Sequence, residues 1–251
     1  MSYKAKFTWI VAVLATFQTI TGFSFPGTAL PNSNKVSASV AAIAITPLSV
    51  IADETAVSSW YNMLHLDSLG MDQRVFAQAV KGWNKLRSHN RISRENILTI
   101  ADFSQPSINK RLYVIDLDAG RVLYHTYVAH GRNTGKDKAL SYSNRMSSYK
   151  SSPGFYLTST TYNGSNGYSL RLTGLEKGIN DNAQRRAIVM HGADYVNESY
   201  ISSQGYIGRS QGCPAIPLEL TMPVINTIKD GSCLFIYTAS PSYTSRSTLL
   251  R

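Results

Sequence analysis

Two residues of this chain stand where covalent chemistry is possible: His191, followed by Gly192, and Cys213, preceded by Ser210-Gln211-Gly212. A thiolate is a strong nucleophile, but a free thiol with a pKa of about 8.5 is mostly protonated at neutral pH. An imidazole within reach can take that proton. Acyl transfer also needs donors for the developing oxyanion, and backbone N–H groups commonly supply them. Ser-x-Gly-Cys suits this chemistry, because Gly212 lets the chain turn sharply and lets a carbonyl approach the backbone. The candidate oxyanion donors are the N–H of Cys213 and that of Gly212 or Gln211. Ser210 would add a hydroxyl or brace the turn. The chain between His191 and Cys213 has room for a strand end, a helix or loop through Tyr195 to Ser203, and a return. One acceptor must hold the other ring nitrogen of His191; Asp194 and the Gly192 carbonyl are both near in sequence. The competing reading is structural: Cys213 and Cys233 are the chain's two cysteines, and an oxidising compartment favours pairing them.

The elements that must position these residues are mostly strands. Ile97–Phe103, Arg111–Leu117, Arg121–Val128, Phe155–Tyr162, Tyr168–Thr173, Arg186–His191 and Ser232–Tyr237 read as strands bounded by Gly, Asn or Asp. Asp118-Ala119-Gly120 is hairpin chemistry. Leu218–Lys229 reads as a helix. Before the strands, Val75, Ala79, Trp83 and Leu86 fall on one helical face with Asp72 as a candidate N-cap, and Trp60–Leu66 suggests a second short helix. The expected fold is mainly β with a few helices, a sandwich or barrel preceded by a short helical segment that caps it.

The expected division is a signal peptide over 1–29, a linker over 30–55, a helical appendage over 56–94, a catalytic domain over 95–239 and a flexible tail over 240–251. The signal rests on Lys4 and Lys6 ahead of the apolar run Phe7–Ile20, with small residues up to Ala29. That run is short for a membrane span, which needs about 20 residues. The chain is therefore expected to be exported to the periplasm or cell envelope, with no stable membrane span after cleavage. The net charge of +10 is spread without a Lys/Arg block, so it favours an anionic polymer over a nucleic-acid-reading surface. The five histidines show no close metal-ligand spacing and the cysteines form no CxxC pair. Neither a metal site nor a nucleotide cofactor is expected. His130-Gly131 ends a predicted strand and is a candidate to line the pocket.

Together, the motifs VAHGRNTG (128–135), SSPGFYLT (151–158), YSLRLTGLEKGIN (168–180), His191-Gly192 and GRSQGCPAIP (208–217) resemble the catalytic region of the murein L,D-transpeptidases over roughly residues 95–238. The resemblance implies a β-sandwich of two mixed sheets. It implies Cys213 as nucleophile, His191 as its base, and the Gly192 carbonyl rather than Asp194 as the acceptor that orients the imidazole. It also implies peptidoglycan stem peptides as substrates, a cysteine acyl-enzyme with a tetrapeptide stem, transfer to an amine and no cofactor; separately, the chain is expected to act as a monomer. Water as acceptor would make the enzyme an L,D-carboxypeptidase. A wall-binding protein with a Cys213–Cys233 disulfide is the non-catalytic alternative. The sequence departs from the commoner branch at Gln211, where a His is usual, and at Ala215, where an Arg is usual. Arg132, Arg171 and Arg209 are the candidates to recognise a substrate carboxylate in its place.

Overall fold

The most apolar runs, residues 97–101, 112–115 and 233–237, fold as strands covered on both faces. The structure, a computed structural model, describes residues 54–251. Helices α1 (Glu54–Met63) and α2 (Gln73–Ser88) lead into strands β1 (Ile97–Asp102), β2 (Leu112–Asp116), β3 (Arg121–Thr126), β4 (Gly154–Gly164), β5 (Gly167–Gly174) and β6 (Val189–Ala193). Then come α3 (Glu198–Gln204), β7 (Ala215–Pro217), a 3-10 turn, α4 (Thr221–Ile228), β8 (Cys233–Tyr237) and α5 (Pro241–Arg246). The expected signal peptide and nearly all of the linker lie outside the described residues. Among the described residues, no helix is long and apolar enough to cross a membrane.

The fold is mainly β, as expected. The strands join one mixed sheet of order β3-β2-β1-β8-β4-β5-β6-β7, rather than standing as two separate sheets. Its two halves meet at β4. Residues Gly154–Leu157 pair with β8, and a register shift between Thr158 and Thr161 follows. Such a bulge bends a strand and strengthens its twist, so one strand serves both halves.

Alternation explains why the central strands read as solid apolar runs. Cys233, Phe235 and Tyr237 of β8 face one core with Tyr113, Ile115, Leu98 and Ile100. Leu234 and Ile236 face a second core with Leu112, Val114, Ile97 and Ala101. The first core is closed by α2, through Val75, Phe76, Ala79, Val80, Trp83 and Leu86; the second by Val224, Ile225 and Ile228 of α4. Asp72 caps α2 by accepting the Arg74 N–H at 2.8 Å. The helical segment therefore shares its core with β1, β2 and β8, and the division expected at 94/95 is no boundary in the packing.

The tail expected to be flexible is instead folded onto the body. Tyr243 and Leu250 are buried in the first core. The buried carboxylate of Glu176 accepts hydrogen bonds from the Phe155 N–H at 2.8 Å, the Tyr243 hydroxyl at 3.1 Å and the Ser247 hydroxyl. The Ser/Thr-rich composition hid two apolar anchors and a docking carboxylate far away in sequence. Tyr243→Ala is expected to destabilise the protein by about 3–5 kcal/mol, the usual cost of emptying a large aromatic site. Urea unfolding measures it, and a loss below about 0.5 kcal/mol, the range of ordinary surface substitutions, would show that the tail carries no stability.

Candidate functional site

The site is built on a parallel pair. β6 and β7 run side by side with His191 opposite Ala215, and β5 flanks β6 on the other side, with Ser169 opposite His191. A parallel pair needs a crossover, and α3 supplies it. Asn197 caps α3 by accepting the Ser199 and Tyr200 N–H groups at 2.9 and 3.1 Å, and Gly205 ends it in the left-handed conformation. With Ala215 level with His191, Cys213 falls beside Val189. Its sulfur accepts the Val189 N–H at 3.5 Å, and its S–H donates to the Ala187 carbonyl at 3.7 Å.

Ser210 braces the turn that carries Cys213. Its hydroxyl donates to the Cys213 carbonyl at 2.6 Å and accepts the Gly212 N–H at 3.0 Å. The Gly212 N–H is thus committed to Ser210 and drops out of the oxyanion candidates. The N–H groups of Gln211 and Cys213 donate to no described residue. Gly212 has φ +124°, and a side chain there would meet the Lys150 carbonyl at 2.8 Å, so only glycine fits.

The chain after β3 closes the sheet against this turn. Ala129 bridges to Ala215 and Gly131 to Ser210, with the Arg132 N–H donating to the Ser210 carbonyl at 2.7 Å. The Ser151 hydroxyl links the layers, accepting the Gly131 N–H at 3.0 Å and donating to the Gly212 carbonyl at 3.1 Å. The motifs at 128–135, 151–158 and 208–217 are therefore one packed unit.

A cavity of about 600 Å³ opens over the turn and is lined by Cys213, His191, Ser210, Gln211 and cationic side chains. His191 Nδ1 lies 2.9 Å from the Gly192 carbonyl. A carbonyl can only accept, so Nδ1 carries the proton and Nε2 keeps its lone pair. Asp194 is exposed and takes no part in this contact. Burial lowers the His191 pKa below the ordinary imidazole range, partly offset by the hydrogen bond to Gly192. Burial raises the Cys213 thiol, opposed by the Val189 N–H and by the positive charge of Arg186. The resting pair is a neutral thiol and a neutral imidazole with a free lone pair. That arrangement suits general-base activation of a nucleophile.

Arg132 and Arg209 line the cavity. Arg171 does not; it is exposed, with its guanidinium over the Tyr162 ring at 4.3 Å. His130 does not line it either. Its Nδ1 accepts from the buried Arg111 at 2.8 Å, and burial beside that cation lowers its pKa to about 4. Its contribution is its backbone, whose carbonyl accepts the Ser210 N–H at 3.0 Å. Both cysteines are free thiols in opposite cores, with the sheet between them, so the disulfide alternative does not hold.

Arg186 was missed as a site residue. It lines the cavity and donates to the Ser143 carbonyl at 2.9 Å, the Ser152 hydroxyl at 2.6 Å, the Ser148 hydroxyl at 3.2 Å and the Lys150 carbonyl at 2.5 Å. All are neutral acceptors from a segment distant in sequence, so no local spacing marked it. Among the described residues, no three His, Cys, Asp or Glu side chains converge as a metal-ligand set.

A family model described as the L,D-transpeptidase catalytic domain matches residues 67–237, so the matched region takes in α2 as well as the strands. No curated protein matches the chain. Among solved structures, an L,D-transpeptidase from Mycobacterium smegmatis is 14% identical, with a TM-score of 0.35 over 57% of this chain and 59% of that one. One from Mycobacterium tuberculosis is 18% identical, with a TM-score of 0.33 over 57% and 58%. One from Xylanimonas cellulosilytica is 14% identical, with a TM-score of 0.33 over 57% and 60%. This chain thus spans less than two thirds of each of those chains.

The charge beside the thiol makes a prediction. Arg186→Gln should move the pH midpoint of Cys213 alkylation by iodoacetamide upward, because the thiolate loses a cation that favours it. Arg186→Lys should move it less. An unshifted midpoint in folded Arg186→Gln protein would show that the guanidinium only holds the surrounding loop.

Proposed function

The chain belongs to the L,D-transpeptidase catalytic-domain family, and from that premise we propose that it is an exported cysteine acyltransferase of peptidoglycan stems, acting in the periplasm or cell envelope. The observation that carries this reading is the fixed His191 tautomer, which leaves the Nε2 lone pair in the cavity that also holds Cys213.

In this reading, His191 Nε2 removes the thiol proton as sulfur attacks the carbonyl carbon of the third stem residue, a diamino acid. The carbonyl π electrons move to oxygen, which is met by the N–H groups of Cys213 and Gln211. Collapse of the tetrahedral adduct re-forms the C=O bond and expels the amine of the terminal D-Ala, which takes its proton from His191. A thioester remains. The side-chain amine of another stem attacks it, gives up a proton to His191 and expels the thiolate, which is reprotonated. Water in the amine's place would yield a trimmed stem from the same thioester. Ser210 acts through the turn, holding Gly212 and the Cys213 carbonyl so that the Cys213 N–H stays directed at the substrate.

A carbapenem, the class of acyl donor the resemblance implies, tests the nucleophile. Intact mass should show one covalent adduct on the wild type and none on Cys213→Ala. An adduct that survives the substitution would overturn the assignment. The sign of the His191 shift sets the pH profile. Only neutral imidazole can accept the thiol proton, and burial keeps it neutral to lower pH than usual. The acylation rate should therefore hold through the normal imidazole midpoint near about 6.5 and fall only below it. An acid limb centred above that value would exclude His191 as the base in this environment.

A further inference from the structure

Among the described residues, three arginines, Arg132, Arg186 and Arg209, line the cavity, and no Asp or Glu does. Two of the three are already engaged by the fold. Arg186 is satisfied by four oxygens of the 143–152 segment. Arg209 donates to the carbonyls of Arg132 and Gly135 at 3.2 and 3.1 Å. Arg132 differs. Its guanidinium lies over the Tyr149 ring, 4.0 Å from the centroid, and it donates to no described residue. Stacking covers one face of the plane and leaves the donors along its edge free.

The stacking partner is held in place at a conformational cost. Tyr149 has φ +54° and Ser147 φ +52°, a region that side-chain-bearing residues rarely occupy. The surroundings enforce it. The Asn133 N–H donates to the Tyr149 carbonyl at 3.1 Å, and the Asn133 amide to the Ser148 carbonyl at 3.0 Å. On the other side, Arg186 grips the Ser148 hydroxyl and the Lys150 carbonyl. Strain that the neighbourhood over-determines in this way gathers at ligand clamps.

We propose that Arg132, stacked on Tyr149, is a specificity residue that binds a free carboxylate of the donor stem and rejects the corresponding carboxamide. This deepens the stem-peptide reading above and rests on it. A carboxylate offers two anionic oxygens to the guanidinium edge. A carboxamide offers one neutral acceptor and sets an N–H₂ group against N–H donors, leaving donors unpaired. Among the described residues, none that lines the cavity is acidic and would compete for the cation.

The test uses the full chain carrying Cys213→Ala, so that binding is read apart from turnover. The probe is a synthetic tetrapeptide ending in a diamino acid and D-Ala. One comparison peptide is amidated at the side-chain carboxyls, the other at the C-terminal carboxyl. Calorimetry should show binding weakened about 10- to 100-fold by one of the two amidations, the scale of a charge-assisted pair. The arm that weakens identifies the carboxylate. Adding Arg132→Gln should weaken the free peptide by a similar factor and erase the discrimination; Arg132 is exposed, so the fold should survive. Equal binding of all three peptides, or discrimination that persists in Arg132→Gln, overturns the proposal. Release of D-Ala from the free peptide by the wild type is scored separately. Discriminating binding without release would count against the transpeptidase reading and leave the carboxylate site standing.

Discussion

The parallel register of β6 and β7 decides where every reactive atom of the site lies. His191 is level with Ala215, so Cys213 must fall next to Val189, whose N–H meets the sulfur. A shift of one residue would turn every side chain of β7 to the other face and carry the sulfur away from the cavity. The register is pinned from outside. Ala129 bridges to the same Ala215, and the Ser151 hydroxyl ties Gly131 to Gly212. The segment after β3 that bridges to the far end of the sheet is thus also the clamp that holds the turn carrying Cys213.

How much of this the sequence disclosed follows from how local each feature is. Cys213, His191 and the Ser210–Gly212 turn could be singled out because their residue types suit acyl transfer, though the residues alone left a Cys213–Cys233 disulfide open and the family resemblance weighed against it. The Gly192 carbonyl entered through the family resemblance, since the residues alone left Asp194 open. Seven of the strands were legible from β-branched and aromatic runs. The eighth, Ala215–Pro217, is too short to show a period and contains a proline. The continuity of the sheet through β4 depends on a bulge at Thr158–Thr161, which composition does not reveal. Arg186, Tyr149 and the docked tail escaped for a common reason: each acquires its role from partners many residues away. His130 shows the converse. Its place beside Gly131 suggested a pocket residue, but its ring is spoken for by Arg111, and the site uses only its carbonyl.

The electrostatics at the nucleophile run opposite to those of a preformed ion pair. Burial raises the thiol and lowers the imidazole, and both shifts favour the uncharged pair. In the reaction proposed above, charge would then appear during the reaction, not before it. Each charge has a waiting partner. The imidazolium would strengthen the Nδ1–H bond to the Gly192 carbonyl, and the thiolate would face the Val189 N–H and the cation of Arg186. Arg186 itself is solvated by neutral oxygens, so among the described residues no bonded carboxylate cancels its field at the sulfur. A neutral thiol that ionises only against these fixed groups costs little reorganisation when it does so. The same arrangement explains why a segment as distant as 143–152 belongs to the site: it holds the guanidinium, whose charge, together with the Val189 N–H, opposes the effect of burial on the Cys213 thiol.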